Sequence, residues 1–140
     1  MYKFALAFVL AVTLLVEFRE SSADYINGKV LVTINNTLSN NKKLIVHCKN
    51  KDDDLGTVDI APRHAYQFYA NKSSRENTSY NCDFTFDNKL HWFHVYDQNI
   101  DSSFCRKVCY YEADENRICR YLSFMKNDMR YRQCFKWNRY

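Results

Sequence analysis

Residues 46–56 read "VHCKNKDDDLG". They set a histidine, a cysteine, two lysines and three consecutive aspartates beside one of only two glycines in the chain. Three chemistries use such residues: calcium binding, zinc binding and carboxylate acid–base work. An EF-hand loop spaces its ligands at alternate positions and closes with a bidentate acid. Asp52, Asp53 and Asp54 are contiguous, so they do not fit that pattern. The lysines at 42, 43, 49 and 51 are near enough in sequence to neutralise them. Paired carboxylates for glycoside cleavage lack any sign of a cleft. The expectation is a polar turn between two strands, with Leu55 re-entering the core.

The four histidines are His47, His64, His91 and His94. His91 and His94 lie three apart in an expected strand and so point to opposite faces. A ribonuclease needs two histidines, or a histidine and a carboxylate, converging on one phosphate, and the spacing shows no such convergence. The chain has no Gly-rich phosphate loop, no Gly-x-Ser-x-Gly and no HExxH. No catalytic residue, cofactor site or metal site is assigned.

The six cysteines are Cys48, Cys82, Cys105, Cys109, Cys119 and Cys134. Cys105 and Cys109 lack the second close pair that zinc needs. An even count behind an apolar leader implies three disulfides formed in an oxidising compartment. Spacing does not choose among the connectivities. The leader is Lys3 followed by an apolar run from Phe4 to Val16, then Ser21-Ser22-Ala23. The run is shorter than the roughly 20 residues that span a bilayer. It reads as a signal peptide, residues 1–23, ahead of one domain at 24–140. Three Asn-x-Ser/Thr sequons, at Asn35, Asn71 and Asn77, read as surface glycosylation sites.

The elements that must position these residues alternate with period two. Val30, Val32 and Ile34 share one face; so do Leu44, Val46 and Cys48. Tyr80, Cys82, Phe84 and Phe86 make an aromatic face opposite Ser79, Asn81, Asp83 and Thr85. Residues 92–96 are apolar or aromatic on both faces and read as a more central strand. A last strand is expected near 117–124, then an irregular, disulfide-tied, basic tail. Short polar segments turn the chain, with Asn, Asp and Ser doing work that Gly and Pro do elsewhere. The fold class is all-β, a small antiparallel β-sandwich stabilised by disulfides.

"KVLVTINNTLSNNKKLIVHCKNKDDDLG" resembles the opening of the plant self-incompatibility protein S1 family, the S-protein homologues. The match holds at Leu44, Val46, His47, Cys48, Lys49, Lys51, Asp52, Asp53, Asp54, Leu55 and Gly56. It continues through Tyr66-x-Phe68, "YNCDFTF", "HWFHVYD" and the pair Cys105 and Cys109, from about 29 to 110. The chain departs from the pattern at Pro62-Arg63, at "SSREN", and at Tyr110 or Tyr111 where a tryptophan is usual. Cys119 and Cys134 look like additions to four family cysteines.

The resemblance implies a secreted, non-enzymatic protein, an extracellular signalling ligand recognised by a membrane receptor ectodomain. No nucleic-acid partner and no membrane insertion are expected, and the protein should be a monomer. The loops 71–77, 97–103 and 113–116 are the candidate contacts. The rival readings are a secreted basic hydrolase such as a ribonuclease, and a defence protein acting on membranes or polyanions through the basic end.

Overall fold

The computed structural model describes residues 28–71, 78–102, 104–105, 107–121 and 132–138. The leader, Asn77 and most of the loop 71–77 lie outside these residues. The described residues form nine strands and one short helix. In chain order these are β1 (Lys29–Asn36), β2 (Leu44–Lys49), β3 (Asp54–Ile60), β4 (Ala65–Asn71), β5 (Ser79–Phe86) and β6 (Lys89–Asp97). Then come α1 (Gln98–Asp101), β7 (Val108–Ala113), β8 (Arg117–Tyr121) and β9 (Arg132–Lys136).

The strands make two sheets, ordered β4-β1-β7-β8-β9 and β3-β2-β5-β6. In β1, β2, β5 and β7 the residues of one parity are buried between the sheets. Val30, Val32, Ile34 and Asn36 point inward from β1, and Tyr80, Cys82, Phe84 and Phe86 from β5. Each buried aromatic or branched side chain contributes about 1.5–3 kcal/mol, which is why alternation fixes the register. All described strand pairs are antiparallel except one. Strands β1 and β7 run parallel, with Val32 opposite Cys109 and Ile34 opposite Tyr111. The sandwich is therefore antiparallel-rich.

Asparagine and aspartate do turn the chain. Asn40, Asn41, Asp87, Asn88 and Asn138 all have positive φ. Their short polar side chains tolerate that region better than other non-glycine residues. Asp87 and Asn88 form the two-residue link of the β5–β6 hairpin, where positive φ at both positions matches strand twist.

Two expectations are corrected. Residues 92–96 belong to an edge strand, β6. Residues 137–138 cover its open edge and the inner side of its start. Asn138 donates from its backbone to the carbonyl of Trp92 and accepts the Trp92 N–H on its side chain. Trp137 packs against Phe84, Phe86 and His91. The stretch after β8 is not wholly irregular either: residues 132–136 form β9, register-paired so that Cys119 faces Cys134. Trp137 then plugs the core and donates its indole N–H to the carbonyl of Asp114.

Three disulfides are formed: Cys48–Cys82, Cys105–Cys109 and Cys119–Cys134. The first joins facing residues of β2 and β5, the last facing residues of β8 and β9.

Candidate functional site

The "KNKDDDLG" turn is built by hydrogen bonds to two side chains. Asn50 accepts the N–H groups of Asp52 and Asp53 at 2.9 and 2.6 Å, and its own N–H reaches the Asp53 carbonyl. Asp54 accepts the Gly56 N–H at 2.9 Å and faces His47 Nε2 at 2.6 Å. Gly56 has φ of 74°, and an added Cβ would meet nothing within 4 Å, so the backbone conformation is what calls for glycine. The Gly56 N–H, then His47, hold the Asp54 carboxyl below the usual aspartate range. Asp52 and Asp53 stay exposed. The three carboxylates do not converge, and among the described residues no group of three His, Cys, Asp or Glu side chains is arranged to hold a metal ion. Leu55 does pack against the core, as expected.

Lys49 acts on Asp54 as expected, whereas Lys42 and Lys43 are deployed elsewhere. Lys42 pairs with Asp87 and Glu115, and Lys43 with Asp59. The histidines are dispersed. His64 bonds the Pro62 carbonyl, His91 stacks on Phe86 and His94 meets the edge of Trp92. His47 faces the carboxylate of Asp54, and that pair is exposed.

Topology sorts the connections into two ends. The turn 50–53, the exit of β4 at Asn71, Thr78 and the segment 97–107 lie at one end, the first end. There Gln98 and Thr78 exchange two bonds, N–H to carbonyl at 2.8 Å and N–H to side-chain oxygen at 3.2 Å. The connections 37–43, 61–64, 87–88 and 114–116 lie at the opposite end. Glu115 accepts both the N–H and hydroxyl of Ser39 at 2.6 Å, which tie its carboxyl below the usual range. The described anchors of the loops 71–77 and 97–103 thus share an end. The loop 113–116 faces the other way, so the three candidates are not one surface.

The first end is rigidly mounted. At Tyr96, φ is 54° and the β5–β6 register shifts, a bulge that Asp97 follows with a last pairing to Ser79 before α1. Tyr96 is fully buried and its N–H donates to the Tyr111 hydroxyl. Asp97 caps α1 by accepting the Asn99 N–H. Asp101 turns inward, accepts the Asp97 N–H and pairs with Arg120 of β8. Both are buried, at 3% and 5% exposure. Arg120 also donates to Gln133 and lies 5.1 Å from the Phe104 ring and 5.6 Å from the Phe135 ring. Cys105–Cys109 closes the segment onto β7.

Sequence reasoning missed this clamp. Arg120 is internal although it belongs to the basic end, and Arg117 is paired with Asp114. Lys126, Arg130 and Arg139 lie outside the described residues. Of the sequon asparagines, Asn71 is exposed. Asn35 is half-buried and donates its amide to the Tyr111 carbonyl at 3.1 Å.

Sheets, bridges and turn together define a small all-β sandwich with loops mounted at both ends. The model of the family described as plant self-incompatibility protein S1 matches residues 31–137. The chain belongs to that family. S-protein homolog 2 of Arabidopsis thaliana is 33% identical over 116 residues, covering 80% of this chain and 70% of the relative. S-protein homolog 4 of the same plant is 32% identical over 114 residues, covering 79% and 73%. A solved structure described as that of self-incompatibility protein homologues, small, highly stable, secreted proteins from plants, superposes with a TM-score of 0.58. It is 20% identical and covers 79% of this chain and 95% of its own, which supports the fold. The match through Trp137 extends the family resemblance past residue 110.

Proposed function

We propose that this protein is a secreted, non-enzymatic signalling ligand whose first end is read by a membrane receptor ectodomain. The observation that carries the reading is the mounting of 97–105. A short segment that exposes Asn99 and the apolar Ile100 is held to the core by the Asp101–Arg120 pair, the Gln98–Thr78 clip and a disulfide. Preorganised loops lose little conformational freedom on binding, which favours recognition. Family membership and the description of the structural neighbour as secreted support export, in agreement with the apolar leader. Among the described residues no helix is long and apolar enough to cross a membrane.

The test is a cell-surface binding assay with glycosylated protein. Exchanging 71–77 and 97–103 for a relative's loops should abolish or redirect binding, while exchanging 113–116 should not. Unchanged binding after the first exchange would sink the proposal. The hydrolase reading has one observation on its side, the His47–Asp54 pair. It requires RNA turnover by purified protein that is lost in His47→Ala.

A further inference from the structure

The two outer faces of the sandwich differ in a way the receptor reading does not use. On the sheet β4-β1-β7-β8-β9, Tyr69, Leu31 and Val108 stand in one cross-strand row. Tyr110 lies in the next, with the Tyr121 ring 5.3 Å away. Tyr69 is 63% exposed, Val108 41% and Tyr110 37%. Three of the five exposed large hydrophobics of the described residues therefore share this face. Folding gains nothing from that exposure, and clustered exposed apolar surface marks a binding site.

The charge around the patch identifies the partner. The outward strand positions of this sheet carry Lys29, Arg132 and Lys136, besides Arg117 paired with Asp114, against the single strand carboxylate Glu112. The outward positions of the other sheet carry Asp54, Asp59 and Asp83. Lys49 is their strand cation, and that face lacks exposed tyrosine. An acidic partner is thus drawn to one face and repelled by the other. The face is a flat run of strands and not a pocket. A polymer lying across it meets a new strand about every 4.8 Å, on the scale of one sugar ring. Tyrosine rings stack on the C–H faces of pyranoses, and Arg and Lys pair with carboxylates.

We propose that this outer face binds an acidic, uronate-containing polysaccharide, independently of the first-end loops. The experiment is retention of the secreted, glycosylated protein on immobilised polygalacturonate, with a neutral glucan and anionic phospholipid vesicles as comparison surfaces. Asn35 and Asn71 lie on the same face, so enzymatically deglycosylated protein is run in parallel. Wild type should be retained by polygalacturonate, less so by the glucan, and retention should fall with added salt. Tyr69→Ala with Tyr110→Ala, and separately Arg132→Gln, should each weaken retention about tenfold, with melting temperature unchanged. Leu90→Ala on the opposite face and the loop exchanges should leave it unaltered. The proposal is overturned by equal retention of wild type and the face variants, or by equally strong capture on the vesicles, which would mean bare charge attraction. Retention appearing only after deglycosylation also overturns it, because the chain's own glycan then occupies the face.

Discussion

The two ends of the sandwich are fastened by opposite chemistry. At the first end a buried charge pair, Asp101–Arg120, holds the segment that follows β6. At the opposite end a neutral side chain does the equivalent work. Asn36 is buried, donates its amide to the carbonyls of Lys42 and Ile60 at 2.8 and 3.0 Å, and accepts the Leu38 N–H. A neutral amide sits in the core at modest desolvation cost when it is fully bonded. A buried ion pair gives little net stability against an apolar substitute, yet losing one partner is severe. The difference separates a packing role from a mounting role. The pair fixes where the loop sits; the amide ties two turns to the core.

The largest expected effect follows from that asymmetry. Arg120→Ala leaves Asp101 buried and uncompensated and should cost about 3–5 kcal/mol in urea unfolding. Replacing both partners, Asp101→Leu with Arg120→Met, should recover most of that loss while leaving 97–105 more open to hydrogen exchange. Full retention of stability in Arg120→Ala would break the comparison.

A smaller loss is expected at the other end. Asn36→Leu strands the Leu38 N–H and the carbonyls of Lys42 and Ile60, and should cost about 2–3 kcal/mol. Exchange should quicken at 37–43 and 60–64 and stay slow at 97–105. Protection lost equally at both ends would show that the ends are not separate units.

Among the surface carboxylates, Asp54 at the first end and Glu115 at the other should each respond weakly to acid. The pKa of Asp54 is depressed mainly by the Gly56 N–H, and that of Glu115 by the Ser39 hydroxyl. A depressed carboxyl adds stability above its unfolded-state pKa and gives it up as pH falls through the folded one. Carboxyl NMR titrations should place both midpoints below the ordinary values of about 3.9 and 4.3. Midpoints at those values would remove the hydrogen bonds from the account.

Much of the sandwich was legible because strand alternation is a local signal. "YNCDFTF" alone places four aromatic or cysteine side chains inward, and they are buried. Strand β3 was expected after the turn but without bounds, because "DLGTVDI" carries its polar residues on an edge, where only Ile60 is fully covered. The parallel pairing of β1 with β7 leaves no trace in either strand's periodicity. Strand β6 looked central because Trp92 and His94 put aromatic rings on its outward side, where they meet each other edge to face, while its open edge is bonded by Asn138, more than forty residues on. The candidate loops were visible as polar runs, but which end each occupies depends on sheet order. The Asp101–Arg120 clamp was out of reach for the same reason: neither residue is unusual until β8 is laid beside α1.

The claim that the first end is read by a receptor has a direct test. A photo-cross-linking residue is placed at Asn99, in α1, or at Asn116, at the opposite end; both positions are exposed. Each glycosylated variant is irradiated on cells that bind the wild-type protein. The account predicts a specific membrane-protein adduct from Asn99 and none from Asn116. An adduct from Asn116 alone would contradict it.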